Sequence, residues 1–197
     1  QRISNYRGTL TEAFSKMFAL RPTQCRHTQP LRAISRALLQ ADPSSPAASF
    51  VRRDADLAIF IVSANDDCSL APRILSQVLP ANEDAAYRCF SQSVQCAEST
   101  ALLGPHHACV PLDTDGEVNG FDLFRSLEQL KREGDAAIGK LVIGQITGPM
   151  DPVILAQAGA AAAPVVAPAC SYESTTGTLP ASVFARPSVR TTAFAQL

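Results

Sequence analysis

The chain lacks several features that often mark a particular function. It contains no tryptophan and only three tyrosines among 197 residues, which disfavours an aromatic platform for carbohydrate. The 17 basic and 18 acidic residues leave a net charge of −1, so neither nucleic acid nor an anionic membrane is an expected partner. No apolar run reaches the roughly 20 residues of a membrane span. A glycine-rich phosphate loop and a Gly-x-Ser-x-Gly nucleophile motif are also missing.

What is present is a globular composition, with 46% hydrophobic residues, and one strongly patterned stretch. Residues 56–69 read Asp-Leu-Ala-Ile-Phe-Ile-Val-Ser-Ala-Asn-Asp-Asp-Cys-Ser. An apolar run that ends abruptly in polar residues predicts a buried parallel strand with a loop at its carboxyl end. Binding sites of open α/β sheets lie at that edge. Residues 63–69 are therefore the first place to look for function.

The rest of the pattern predicts an α/β fold. Apolar spacing predicts helices over residues 9–20, 28–39, 72–79, 121–132 and 188–197, and a second apolar strand over 140–147. Thr9 and Glu12 have the spacing of a capping box, and Thr28 with Pro30 is a typical helix start. A strand, a long connection, a helix and a strand are typical of a parallel crossover. We predict a doubly wound, Rossmann-like, mostly parallel sheet.

Two strands are too few for a stable sheet, so either strands are missing upstream or weaker strands escape detection in the pattern. We favour the first and expect this single domain, residues 1–197, to be partial and to lack its first strand or strands. Residues 80–120 are predicted to form a long cysteine-rich insertion loop. Residues 151–182 are rich in alanine, proline, serine and threonine and are predicted to be irregular.

The cysteines favour disulfide bonds. No CxxC pair and no zinc-ribbon spacing is present, and four of the six cysteines lie between positions 68 and 109. Disulfides imply an oxidising, extracytoplasmic compartment; buried, reduced cysteines in a cytosolic protein are the alternative. Six cysteines allow 15 pairings, and the residues do not select one. The disulfide candidates are Cys25, Cys68, Cys89, Cys96, Cys109 and Cys170.

Several segments together suggest a family. The most specific is the strand with its Asp-Asp-Cys-Ser ending at 66–69; the others are residues 4–10, 25–39, 50–59, 87–90 (Tyr-Arg-Cys-Phe) and 140–148. Their order and spacing resemble the second half of a von Willebrand factor type A domain. More narrowly, they resemble the secreted or lipoprotein type of myxobacteria and related bacteria. The resemblance covers most of the chain and implies a doubly wound α/β fold.

The resemblance also implies a cation site at the carboxyl edge of the sheet. In functional members an Asp-x-Ser-x-Ser loop, a threonine and a strand-end aspartate hold a divalent cation, which a partner's carboxylate completes. This chain has no Asp-x-Ser-x-Ser, and Ser63-Ala64 stands where the family has Thr-Asp. Residues 25–29, Cys-Arg-His-Thr-Gln, replace the family's Cys-Gly-Phe-Glu-Gln. We therefore expect a degenerate ion site on a retained fold.

Ser63, Asp66 and Asp67 are the residues that could still hold a cation, either Mg²⁺ or Ca²⁺; otherwise the expected cofactor is none. The competing interpretation is that the aspartates cap helices or shape a turn. Cys68, in the same loop, is the expected tether to the long segment that follows. His27 precedes the second helix and has no evident partner in the sequence.

Three interpretations of function follow. The preferred one is a non-enzymatic, extracytoplasmic adhesion or interaction module, whether secreted, periplasmic or an outer-membrane lipoprotein, that binds a protein or cell-surface ligand. The second is a purely structural, degenerate domain of a larger secreted protein. The third is a hydrolase that uses a cysteine and a histidine, which requires a free thiolate.

Overall fold

A computed structural model describes residues 7–18, 27–39, 51–52, 55–75, 83–112, 118–132, 139–157, 164–173 and 182–197, and every structural statement concerns these residues. The helices are α1 (Leu10–Phe18), α2 (Pro30–Leu38), α3 (Pro72–Leu75), α4 (Ala85–Ser93), α5 (Gly120–Arg132) and α6 (Val189–Ala195). The strands are β1 (Leu57–Val62), β2 (Val94–Gln95), β3 (Gly104–His106), β4 (Val110–Pro111), β5 (Leu141–Ile146), β6 (Val153–Gln157), β7 (Pro164–Val166), β8 (Cys170–Glu173) and β9 (Ser182–Ala185).

The helices and strands that the long apolar patterns predict are present in the structure. Helices α1, α2, α5 and α6 and strands β1 and β5 all lie within the predicted ranges, to within one residue. The capping box of α1 is present, because the Thr9 amide donates to Glu12 Oε2 at 2.7 Å and the Glu12 amide to Thr9 Oγ1 at 3.2 Å. Helix α2 has Gln29 rather than Thr28 as its N-cap.

Strands β1 and β5 form a parallel pair, with Leu57 opposite Leu141 and Val62 opposite Ile146. This confirms a mixed α/β fold with a parallel strand pair. Two-stranded antiparallel sheets, β2–β4 and β8–β9, and the three-stranded antiparallel sheet β3–β6–β7 complete the described strands. The doubly wound arrangement stays a prediction.

One face of the β1–β5 pair carries the first hydrophobic core. Alternate residues of a strand point to opposite faces, and helices α2, α5 and α6 all supply residues to the β1 face. We call this cluster the parallel core; it consists of Leu31, Leu57, Ile59, Ile61, Leu123, Leu127 and Phe194. The other face is open, with Phe60 at 70% and Ile146 at 71% exposure. The prediction that β1 is buried on both faces is therefore wrong for its alternate residues.

A second core lies where the sequence predicted loops. Helix α4 and the β3–β6–β7 sheet surround what we call the antiparallel core: Phe90, Val94, Cys109, Val153, Leu155, Val166 and Val189. The predictions of a loop over 80–120 and of an irregular segment over 151–182 are wrong at α4 and at strands β2, β3, β4, β6, β7 and β8. These strands are short and three contain proline, which hides them from strand patterns.

Helix α6 belongs to both cores. Val189, at its start, lies in the antiparallel core, and Phe194, in its last turn, lies in the parallel core. Helix α6, which is seven residues long, therefore connects the two cores. Within the part of the chain that the structure describes, none of the helices has the length and apolar character needed to span a membrane.

Candidate functional site

Residues 66–69, the polar segment at the carboxyl end of β1, connect the two cores. Asp66 makes the first of these connections. The Asp66 carboxylate accepts hydrogen bonds from the backbone amides of Val189, Arg190 and Thr191 at 2.9–3.0 Å. It also accepts from the hydroxyls of Thr191, at 3.0 Å, and Ser188, at 3.3 Å. These amides are the orphan donors at the start of α6. Asp66 is therefore a capping residue supplied from a distant part of the chain.

Asp67 makes the corresponding contact with the start of α2. Its Oδ1 accepts from the Leu31 amide at 3.0 Å and from the Ser69 hydroxyl at 2.6 Å. Its Oδ2 accepts from Arg190 Nε at 3.2 Å, in an ion pair whose side chains are almost completely buried. Burial raises the pKa of the Asp67 carboxyl, against the lowering effects of the Arg190 charge and of the hydrogen bonds from Ser69 and Leu31.

Ser69 and Cys68 add two more links from the same segment. Ser69 Oγ accepts from the Arg32 amide at 3.0 Å, and the Ser69 carbonyl accepts from the Arg32 guanidinium and from the Val118 amide. The Cys68 amide donates to the Thr28 carbonyl at 2.7 Å, and its sulfur is bonded to Cys89 of α4. The four residues 66–69 thus tie the end of β1 to helices α2, α4 and α6.

The residues predicted as cation ligands have their oxygens engaged inside the protein. Ser63 Oγ donates to the Asn65 carbonyl at 2.6 Å and accepts from the Asn65 amide at 3.2 Å, which forms a local turn. The carboxylates of Asp66 and Asp67 accept the bonds described above. A cation bound by these three residues would have to replace those donors, since a hard cation requires free oxygen ligands. Metal binding by Ser63, Asp66 and Asp67 stays a prediction.

An open cavity of about 140 Å³ lies beside this segment. Asn65, Asp66, Asp67 and Cys68 form one wall. The rest comes from the residues before α2, from α4 and the residue that caps it, from β6 and β7, and from the start of α6 and the residues before it. A single water needs only about 10–15 Å³ of such volume, so the cavity can take a small molecule or a side chain of a partner. It lies at the edge of the sheet that the sequence indicated.

The charged wall of the cavity is built by Arg186 and Asp84. The Arg186 guanidinium donates to Asn65 Oδ1 at 2.9 Å and to the Val166 carbonyl at 3.1 Å, and lies 3.6 Å from Asp84 Oδ2. Asp84 also caps α4, where its Oδ1 accepts from the Tyr87 amide at 2.9 Å. Because both charges have partners within the wall, the cavity presents a fixed, polar surface rather than one strong charge.

His27 lies against the disulfide at the same cavity. Its Nδ1 is 3.6 Å from the sulfur of Cys68 and 3.4 Å from that of Cys89. In the described residues this is the one group of three histidine, cysteine, aspartate or glutamate side chains whose ligand atoms all lie within 4.8 Å of one another. Neither Asp66 nor Asp67 belongs to it.

Four of the six disulfide candidates are bonded, as Cys68–Cys89 and Cys96–Cys109. The prediction that Cys68 tethers the segment after it is confirmed. Cys170 has a free, exposed thiol, and Cys25 lies outside the described residues. Two disulfides are typical of proteins from oxidising, extracytoplasmic compartments.

Sequence reasoning missed Arg186, Arg190 and Asp84, and it gave His27 no role. Asp84 carried a usable signal, since an aspartate just before a helix is a good N-cap. The two arginines carried none, because their side-chain partners Asn65 and Asp67 lie more than 100 residues away in the chain. No family model, curated protein or solved structure matches this chain.

Proposed function

We propose that this chain is a non-enzymatic, extracytoplasmic protein-interaction module whose binding surface is the cavity at the carboxyl end of β1. The observation that carries the proposal is the cavity itself, which stays open although residues 66–69 beside it are used for internal bonds. A concave site with a few fixed polar groups and an apolar floor suits a side chain of a protein partner. Val153, Val166 and Val189 supply that floor.

We further propose that the module is the later part of a doubly wound domain of the von Willebrand factor type A kind. The open face of the β1–β5 pair supports this, because parallel sheets are normally covered by helices on both faces. Phe60, Val62, Val142 and Ile146 form an apolar surface on that face. Helices from the remainder of such a domain would cover it.

The ion site of such a domain is proposed to be degenerate in this chain. Ala64 stands at the position of the family's metal-facing aspartate, and its side chain has no oxygen. Its carbonyl accepts a hydrogen bond from the Arg186 amide at 2.9 Å. With Asp66 and Asp67 holding helices, the segment offers a partner contact through the cavity rather than through a cation.

The disulfides support the non-enzymatic and extracytoplasmic parts of the proposal. Cys68, Cys89, Cys96 and Cys109 are all oxidised, so none of them offers the thiolate that a cysteine hydrolase needs. Secretion or attachment as a lipoprotein is the setting we propose. The alternative, a purely structural domain, is favoured by one observation: residues 66–69 all serve to hold helices together.

Selection of peptides from a random displayed library on the immobilised, oxidised chain tests the interaction proposal against the structural one. We expect selected peptides to bind at least about tenfold more weakly when Ala85→Trp fills the cavity, since Ala85 lines it. Arg125→Glu, on the exposed side of α5, is the matched control and should leave binding unchanged. Equal binding to all three proteins would favour the structural alternative.

Titration calorimetry tests the degenerate ion site. Mg²⁺ and Ca²⁺ titrated separately into the chain should give no heat beyond dilution, because the oxygens of Asp66 and Asp67 already accept hydrogen bonds. Saturable binding that Asp66→Asn abolishes without unfolding the protein would contradict the proposal and would establish the predicted cation site.

A further inference from the structure

We propose that His27, Cys68 and Cys89 form a zinc site once the Cys68–Cys89 disulfide is reduced, so that reduction converts this corner of the cavity from a cross-link into a metal centre. The site would take a borderline-soft divalent cation, Zn²⁺, through one imidazole nitrogen and two thiolates. This inference does not depend on the proposed interaction function.

The distances around His27 fit the edges of a zinc tetrahedron. With Zn–S near 2.3 Å and Zn–N near 2.0–2.1 Å, a nitrogen and a sulfur that share one tetrahedral zinc lie about 3.5 Å apart. The observed separations of His27 Nδ1 from the two sulfurs are 3.6 Å and 3.4 Å. His27 Nδ1 therefore already lies at the distance from both sulfurs that two ligands of one zinc ion would have.

Reduction supplies what the oxidised pair lacks. Two sulfurs on one tetrahedral zinc lie about 3.8 Å apart, so the S–S bond must break before both can bind. A dithiol reduces the S–S bond by exchange and becomes a disulfide, or a phosphine reduces it with one water and becomes a phosphine oxide; either reaction gives two cysteine thiols, whose protons come from the dithiol or from the water. Zn²⁺ then replaces the two thiol protons, which are released to solvent, and the neutral Nδ1 of His27 donates its lone pair.

The surroundings allow the change. All three residues line the cavity, so a small reductant and a hydrated cation can reach them. The backbone at Cys68 is held beside His27 independently of the S–S bond, because the Cys68 amide donates to the Thr28 carbonyl, and Cys89 lies within helix α4. Three protein ligands leave a fourth position for water or a partner's donor atom, as in zinc sites that exchange ligands.

The second disulfide provides an internal comparison. The Cys109 sulfur lies 3.9 Å from the His107 carbonyl oxygen, and the ring of His107 is paired with Asp151 at 3.5 Å. Cys96 and Cys109 therefore form a cross-link of the ordinary kind, and removing them should leave zinc binding unchanged.

Competition with a chromophoric zinc chelator tests the proposal. The wild type, His27→Ala and Cys96→Ser/Cys109→Ser are reduced anaerobically with a phosphine, and Zn²⁺ is added. We expect one zinc per chain for the wild type and for the double variant. His27→Ala should bind zinc at least about tenfold more weakly, because even the loss of a group that only orients a zinc ligand typically lowers metal affinity by that factor. The oxidised wild type should not compete with the chelator.

Cobalt absorption and circular dichroism are the two further measurements. Co²⁺ in place of Zn²⁺ should give sulfur-to-cobalt charge-transfer absorption in the reduced wild type, and a weaker, shifted band in His27→Ala. Circular dichroism follows the fold, and reduced wild type in guanidinium serves as an unfolded control. The proposal is overturned if His27→Ala binds zinc as tightly as the wild type, if the double variant loses binding, or if native and unfolded reduced chains bind equally well.

Discussion

The two cores of this protein are built in opposite ways. The parallel core rests on long regular elements, with six-residue strands β1 and β5 and a 13-residue helix α5. The antiparallel core is surrounded by strands of two to five residues, and the Cys96–Cys109 bond lies within that region. Short strands bury little apolar area, so a cross-link can supply stability that packing does not. The parallel half of the chain therefore relies on packing for its stability, and the antiparallel half relies in part on a disulfide bond.

The cores meet at residues 66–69, and the bonds there differ in kind from those inside either core. Asp66 and Asp67 reach α6 and α2 through backbone amides, and Arg190 adds a buried charge between them. A joint of this kind makes the cores cooperative, because losing it leaves polar groups of both unpaired. Four sets of substitutions test the joint and the contrast between the two cores, ordered by the effect expected for the first variant of each set, from the largest to the smallest.

Asp67→Asn should destabilise both cores by about 3–5 kcal/mol, because it removes the charge that is paired with the buried Arg190 guanidinium. Urea unfolding, followed by circular dichroism and by hydrogen exchange in β1 and β6, measures the loss. Asp122→Asn, an exposed change in the first turn of α5, is the control and should shift stability by less than about 1 kcal/mol. A loss confined to one core would show that the cores are not coupled at this joint.

Removing each disulfide separately should lower the unfolding free energy by about 3 kcal/mol in each case, because the two loops have similar lengths of 21 and 13 residues. The distribution of the loss should differ. Cys96→Ser/Cys109→Ser should reduce hydrogen-exchange protection first in β3 and β6, while Cys68→Ser/Cys89→Ser should reduce it in β1 as well. Identical exchange patterns for the two variants would mean that the whole chain opens as a single unit.

Ala108→Gly should stabilise the protein by about 0.5–1 kcal/mol, because Ala108 has a φ of +50°, which glycine adopts without steric penalty. Ala97→Gly, in the same disulfide loop but without a positive φ, is the control and should be neutral or destabilising. Thermal unfolding at matched scan rates compares the pair. Stabilisation by both changes would point to the loop as a whole rather than to the backbone of Ala108.

Phe60→Ser should change the unfolding free energy by less than about 0.5 kcal/mol, since Phe60 is 70% exposed on the open face of β1. Its neighbour Ile59 is buried in the parallel core, so Ile59→Ala should destabilise by about 2–5 kcal/mol. Urea unfolding of both variants measures the contrast between the two faces. A large loss for Phe60→Ser would show that the open face of β1 is covered in solution.

The sequence predicted the parallel half of the fold because that half follows simple periods. Six apolar residues in β1 and the spacing of Leu123 and Leu127 in α5 are signals that local patterns preserve. The antiparallel strands gave no such signal. Pro105 in β3 and Pro164 in β7 break strand patterns, and Val153, Ile154 and Leu155 adjoin an alanine-rich stretch that dominated the composition there.

The position of the candidate site could be predicted from the sequence, but the contact partners of its residues could not. The carboxyl end of a buried strand is a general location for sites, and residues 63–69 lie beside the cavity as expected. The partners were out of reach, because Asp66 meets α6 across more than 120 residues and His27 meets Cys89 across 62. Such contacts depend on tertiary packing, for which a single sequence has no local signal.

The place of α6 in the chain has a consequence for synthesis. Val189 and Phe194 each complete a different core, so a ribosome must translate almost all of the 197 residues before either core can close. At about 5–20 residues per second, the apolar residues of β1 would wait roughly 7–26 seconds for Phe194, their last neighbour in the core. The parallel core therefore stays incomplete, with apolar residues of β1 lacking a neighbour, until helix α6 has been translated.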